Sequence, residues 1–219
     1  MSYAIVPLKP LSLAKGRLSP YLRSEDREGL VLSMLSDVLD AIGKSGVVDE
    51  CLVISSDDRV LKAAYAKGFR GLMEKPSGNL NETLNYATDW CKSQGAKALL
   101  ILPGDLPLIK VEDVKRLFSY MQGERGVVLA PCRRRKGTNA LLRYPPDIMP
   151  TLFGKESFEA HLLKARSLGI HVSVATSEGL SFDIDTIDDL RDLLSSKNEC
   201  KPLTRSFLEK IFGSTCHES

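Results

Sequence analysis

Leu99-Leu100-Ile101-Leu102-Pro103-Gly104-Asp105-Leu106-Pro107-Leu108 is the stretch from which the fold is read. Residues 98–102 form an uncharged apolar run of strand length, as expected of a strand buried on both faces, and Pro103-Gly104 stops it. Asp105 comes next, fenced by leucines and a second proline, so a carboxylate stands in a stiff loop just beyond a buried strand. In open α/β sheets that carboxyl edge is where ligands sit, and a rigid carboxylate there has a cation or a substrate to hold. Capping the helix expected over residues 111–121 is the alternative, but Asp105 lies too far upstream and Lys110 precedes that helix.

Outward from this strand, strand and helix patterns alternate. Residues 4–7 read as a first strand, followed by a loop in which Lys9, Lys15 and Arg17 gather with little acidic company. Such a loop after the first strand is where α/β nucleotide proteins place phosphates, although it carries neither a Walker pattern nor G-x-G-x-x-G, and a solvated basic loop explains it as well. Ser24 offers a cap to a helix whose apolar residues run from Leu30 to Ile42 at helical spacing. Residues 51–54, 69–73, 127–131, 140–143 and 171–175 read as further strands, with helices over 59–67, from about 82, over 111–121, 157–168, 187–194 and 206–212. The basic run Arg133–Lys136 joins two neighbouring strands as a hairpin. The fold expected is α/β: one doubly wound, mostly parallel sheet with helices on both faces and a late antiparallel hairpin, in a single domain over residues 1–219.

Composition narrows the function. In 219 residues, 43% hydrophobic and 26% charged, a net charge of +2 falls far short of the basic excess of a nucleic-acid binder. No apolar run reaches the ~18 residues of a membrane span and the start lacks a signal-peptide core, so the expectation is a cytoplasmic protein with no membrane partner. Five scattered cysteines, Cys51, Cys91, Cys132, Cys200 and Cys216, contain no C-x-x-C pair, which argues against a disulfide framework and a zinc site. His161, His171 and His217 show no ligand spacing and read as structural or solvated.

Two later segments carry chemistry. In Phe182-Asp183-Ile184-Asp185-Thr186 the two carboxylates share one side of an extended chain, and like charges so placed repel unless a cation lies between them, which suits magnesium. The alternative is that Asp185 caps the following helix. At Gly154-Lys155-Glu156-Ser157-Phe158 a helix opens, and Ser157 with the first-turn amides suits either a phosphate or plain capping. Asp57, Asn81 and Thr83 are each explained by helix capping as well as by ligand contact. The run Arg133–Lys136 reads chiefly as a solvated loop.

Taken together, Val6-Pro7-Leu8-Lys9 with Ala14-Lys15-Gly16-Arg17-Leu18, Leu102-Pro103-Gly104-Asp105-Leu106-Pro107, Gly137-Thr138-Asn139-Ala140-Leu141, Phe153-Gly154 with Ser157-Phe158, and Phe182-Asp183-Ile184-Asp185-Thr186 with Asp189-Leu190 resemble the 2-phospho-L-lactate guanylyltransferase family of coenzyme F420 biosynthesis. The aspartate-bearing pieces are similar to those of the wider nucleotidyltransferase fold, shared with molybdenum cofactor guanylyltransferases. Gly16 departs from the pattern, since relatives commonly carry serine there.

The resemblance implies a nucleotide-diphospho-sugar transferase-like fold and a reaction of GTP with 2-phospho-L-lactate or phosphoenolpyruvate that releases pyrophosphate. It implies Mg2+, two ions in number, on Asp105, Asp183 and Asp185, and a catalytic group of Asp105, Lys15 and Arg17. The nucleotide is expected at Pro7, Lys9, Lys15, Arg17 and Gly104, and the phosphorylated acid at Thr138, Gly154 and Ser157. Apart from the resemblance, the oligomeric state is left open, the proline-rich segment and the C-terminal helix being the parts that could support a homodimer. Two rivals use the same features: a nucleotide-sugar glycosyltransferase with its Asp-x-Asp, and a GTP-binding sensor without catalysis.

Overall fold

The computed structural model describes residues 1–74, 79–123, 125–195 and 202–213. Cys200, Cys216, His217 and the middle of the loop 74–82 lie outside these residues. The strands are Ser2–Pro7 (β1), Glu50–Ser55 (β2), Arg70–Met73 (β3), Ala98–Ile101 (β4), Gly126–Pro131 (β5), Thr138–Tyr144 (β6) and Val172–Val174 (β7). The helices are Ser24–Ser45 (α1), Asp58–Ala66 (α2), Leu80–Ser93 (α3), Val111–Ser119 (α4), Ser157–Ser167 (α5), Glu178–Ser181 (α6), Ile187–Ser195 (α7) and Pro202–Phe212 (α8).

One sheet in the order β3-β2-β1-β4-β6-β5-β7 holds all seven strands. β1 pairs in parallel with β2 and β4, β2 with β3, and β5 with β7. β6 runs against both its neighbours, β4 and β5. This is the mixed, mostly parallel sheet with a late hairpin that the alternation of patterns predicts. The continuous apolar runs of β4 and β5 are buried throughout, as strands covered on both faces must be.

Successive strand residues serve two different cores, as the period of two requires. Ala4, Val6, Leu100 and Leu102 meet Leu30, Met34, Leu35 and Val38 of α1 with Leu208 of α8, whereas Tyr3, Ile5, Leu99 and Ile101 meet Leu84 and Ala87 of α3 with Phe158 and Ala165 of α5. Arg143, only 1% exposed, bolts the second face together. Its guanidinium donates to the Met149 carbonyl and to Thr88 Oγ1, both at 2.9 Å. Among the described cysteines, Cys51 and Cys91 are buried and unpaired.

Several local expectations change. Ser24 is the first helical residue of α1 and Arg23 stands at the cap without a side-chain hydrogen bond, the acidic Glu25 and Asp26 supporting the helix end instead. Asn79, not Asn81, caps α3. α8 starts at Pro202 rather than 206, because Pro suits the first helical position and Asp37 of α1 accepts hydrogen bonds from Thr204 N and Oγ1 at 2.8 and 2.7 Å. The four-residue α6 has too few residues to show any period.

Candidate active site at the carboxyl edge of the sheet

The strand order reverses between β1 and β4: β1 is followed outward by β2 and β3, while β4 leads the other way. At such a switch point the loops after the two strands part and leave a crevice. The loop after β1 brings Lys15 and the loop after β4 brings Asp105. Because β6 is antiparallel, its first residues lie at the same edge where its neighbours end, so Thr138 and Asn139 join them.

Lys15 is bent inward. Its φ of +50°, unusual for a residue with a side chain, turns the chain between two short 3-10 turns. The side chain is 7% exposed, and its Nζ lies 2.5 Å from Asp105 Oδ2 and 3.3 Å from Asp185 Oδ1. Burial pulls the Lys15 pKa down, but Asp105 and Asp185 outweigh it and the group ends above its ordinary value. Lys15 is therefore a charged ammonium between two carboxylates.

Gly104 lets the Asp105 loop lie close against the core, since a Cβ there would meet Leu35, Val6 and Leu8 at 3.1 to 3.4 Å. Phe182 and Ile184 are buried while Asp183 and Asp185 face the crevice side of the strand-like segment. Burial, then the charges of Asp105 and Asp185, pushes the Asp183 carboxyl above the usual carboxylate range, against a hydrogen bond from Asn139 Nδ2 at 3.4 Å. The three aspartates thus feel one another. Among the described residues, however, no three acidic, histidine or cysteine side chains stand as a ready-formed metal cage, and Lys15 takes the space between two of them. Their chemistry suits a hard cation nonetheless: three carboxylates, one of them held at a raised pKa by burial and then by the other two, leave negative charge that one ammonium does not cancel.

The loop carrying Asp183 and Asp185 is tied down at both ends. Asp189 Oδ2 accepts from Asp185 N, Thr186 N and Thr186 Oγ1 at 3.1, 2.8 and 2.8 Å, and Thr186 Oγ1 accepts from Asp189 N at 3.3 Å, so Thr186 and Asp189, not Asp185, cap α7. Arg133 pairs with Asp189 and Asp192 at 2.8 Å each and lies over the Phe182 ring. Arg133 is exposed, as expected of the run 133–136, but it is anchored by these contacts. Gly179 of α6 sits against Leu108 and Asp113, where a Cβ would fall 2.1 Å from the Asp113 carboxylate and 2.8 Å from the Leu108 carbonyl. α6 thereby docks the Asp183 loop onto the segment C-terminal to Asp105.

The acid-binding candidates form a second cluster. In the β5–β6 pairing Ala130 faces Ala140 and Pro131 faces Thr138, which leaves Asn139 as a bulge. A bulge re-aims side chains: Asn139 turns to Asp183 and Thr138 to α5. Ser157 Oγ accepts from Thr138 N at 2.9 Å, and Thr138 Oγ1 is 2.9 Å from His161 Nδ1. Gly154, at φ +143°, stands in backbone that side chains rarely allow. Asn81 clamps this segment, donating to the Phe153 carbonyl at 2.9 Å and accepting from Phe153 N at 2.8 Å.

Other expected residues stay apart. Lys9 and Arg17 are exposed and in no ion pair among the described residues, and Pro7 ends β1. Asp57 caps α2 through Arg59 N and accepts from Leu11 N at 3.0 Å, bracing the loop after β1. Thr83 donates to Glu74. Asn139 stands in the piece 137–141 that carries the resemblance but was given no role, and His161 had no distinguishing signal, since their partners lie 44 and 23 residues away. A shallow groove between α1 and α8, floored by Leu32, Leu203 and Phe207, contains none of these groups.

Comparison with known proteins shows the family and the fold. A family model described as guanylyl transferase CofC like matches residues 2–217. A phosphoenolpyruvate guanylyltransferase of Sphaerobacter thermophilus is 40% identical over 87% of this chain and 91% of its own. A 2-phospho-L-lactate guanylyltransferase of Methanothermobacter thermautotrophicus is 40% identical over 87% and 83%. In fold, the chain is similar to a solved nucleotidyl transferase from Methanothermobacter (TM-score 0.62, 15% identity, 96% of this chain and 99% of that one).

Proposed function

The chain belongs to the guanylyl transferase CofC-like family, and from that premise we propose that it transfers GMP from GTP to 2-phospho-L-lactate or phosphoenolpyruvate, releasing pyrophosphate, in coenzyme F420 biosynthesis. The observation that carries the reading is Lys15 between Asp105 and Asp185 at the switch point of a nucleotidyltransferase sheet.

The phosphate of either acid is already largely dianionic at neutral pH, with a second pKa near ~6, so its oxygen attacks the α-phosphorus of GTP without a general base. The bond that forms joins that oxygen to the α-phosphorus, and the bond to the bridging oxygen breaks, with the electron pair leaving on pyrophosphate. No proton has to move, in keeping with a site that holds no exposed histidine among these groups. The obstacle is repulsion between two anions. Lys15, with Lys9 and Arg17 swung in from solvent, offsets the charge on the triphosphate and on the departing pyrophosphate. Thr138, Gly154 and Ser157 hold the acid, and Pro7 and Gly104 shape the nucleotide side. Mg2+ on Asp105, Asp183 and Asp185 would supply charge neutralisation and in-line orientation when bound.

The reading treats residues 1–219 as one cytoplasmic nucleotidyltransferase domain, active as a homodimer and without a nucleic-acid partner. No helix among the described residues is long and apolar enough to cross a membrane. The test is pyrophosphate release with each nucleoside triphosphate against each acid, with and without Mg2+. Release restricted to GTP, one of the two acids and Mg2+ supports the reading; sugar transfer, or GTP binding without release, overturns it.

A further inference from the structure

His161 lies on α5, fully buried, and touches neither the crevice aspartates nor the basic loop. Its two ring nitrogens are both engaged. Nε2 is 2.8 Å from Leu152 N, and Nδ1 is 2.9 Å from Thr138 Oγ1. A backbone N–H can only donate, so Nε2 carries no proton and accepts from Leu152. A neutral ring has one proton, which is then on Nδ1. That proton is donated to Thr138 Oγ1, and the Phe153 ring packs edge-on against the imidazole at 5.0 Å.

The consequence falls on Thr138. Its oxygen receives the His161 proton, so its own O–H has to point elsewhere. Ser157 is in the same position, because its oxygen receives the Thr138 N–H. Among the described residues no acceptor takes either hydroxyl proton. Two neighbouring hydroxyls, each with one accepted hydrogen bond and its O–H left to donate, favour a group rich in lone pairs, as a phosphate or carboxylate is.

We infer that His161 is a positioning residue for the acid: in its Nδ1–H form it polarises the Thr138 hydroxyl and fixes it as a donor toward the anionic substrate. The inference rests on the proposed guanylyl transfer for the identity of the anion and on hydrogen-bond geometry for everything else. Burial agrees with it, pushing the His161 pKa down to about 4, with Arg143 adding to the effect and a backbone hydrogen bond at Ser157 opposing it. The ring thus stays neutral over the working range.

The test uses the full-length enzyme. His161→Gln keeps an acceptor for Leu152 N–H and loses the donor to Thr138; His161→Asn keeps a donor near Thr138. His161→Gln and Thr138→Val are each expected to raise KM for the acid ~10- to ~100-fold, the worth of one hydrogen bond to a charged group, with KM for GTP unchanged. The double variant should be no worse than Thr138→Val, and His161→Asn should recover part of the loss. Nitrogen-15 NMR of the wild type should show Nδ1 protonated and Nε2 bare, with and without acid. An Nε2–H tautomer, a charged ring, or an acid KM unmoved by His161→Gln overturns the inference. If neither acid supports pyrophosphate release, the proposed function fails, and the NMR readout still decides the tautomer by itself.

Discussion

The Lys15 ammonium stands 2.5 Å from the Asp105 carboxylate although 90 residues separate them in the chain, and this contact joins the two loops that flank the switch point. A lysine with only 7% of its side chain exposed keeps its charge only because carboxylates repay its lost hydration.

Removing the carboxylate charge at that contact should therefore strike catalysis first. Asp105→Asn is expected to lower kcat by ~10³-fold or more, the equivalent of several kcal/mol of transition-state stabilisation, while far-UV circular dichroism stays native. Steady-state pyrophosphate release checks the first and the spectrum the second. Full activity in the variant would remove Asp105 from the machinery.

Stability should depend on pH through His161. In the unfolded chain the ring titrates near its ordinary 6.5, and in the folded protein near about 4. Below pH 6.5 the unfolded state takes up a proton that the folded ring refuses, so stability is complete above that pH and falls toward pH 4. A difference of ~2.5 units corresponds to about 3 kcal/mol. Urea unfolding at pH 7 and at pH 4.5 should show a smaller loss for His161→Gln than for the wild type. Equal losses would contradict the depressed pKa.

Gly179→Ala addresses how the Asp183 loop is seated. The added Cβ meets Asp113 and the Leu108 carbonyl at distances atoms do not tolerate, so α6 has to move away. A destabilisation of ~1–3 kcal/mol is expected, as for other overpacked sites, together with a drop in kcat, because Asp183 and Asp185 leave Asp105. Thermal unfolding combined with kinetics tests this; an active, stable variant argues against α6 as the brace.

Asn81→Ala should touch the acid alone. It removes both hydrogen bonds that clamp Phe153, one residue before Gly154, and each is worth ~1 kcal/mol. An acid KM raised ~10-fold with an unchanged GTP KM is the expected pattern, read from initial rates.

The mostly parallel sheet with its late hairpin, and the buried strand that ends just before Asp105, were legible because they depend on short-range signals. An apolar run stopped by Pro103-Gly104 marks a buried strand, and the aspartate behind that stop must emerge at the carboxyl edge. Phe182 to Asp185 showed its two sides for the same reason. The features that stayed hidden are long-range. Nothing near Lys15 announces that it turns inward, since its partners are 90 and 170 residues away and its positive φ has no glycine to signal it. His161 read as structural or solvated because its role is defined by Leu152 and Thr138, which no spacing connects. The bulge at Asn139, too, depends on β5 across the ladder and not on its own residues.

In the proposed reading the basic loop and Asp105, before residue 109, serve the nucleotide and Thr138, Gly154 and Ser157, after β5, serve the acid, yet the two stretches are cross-tied: Asn81 holds Phe153, and Lys15 reaches Asp185. On that reading, a change in which three-carbon acid is accepted has to be accommodated by both halves of the chain at once, because the Asn81 clamp carries any shift of the Phe153-Gly154 segment back to α3.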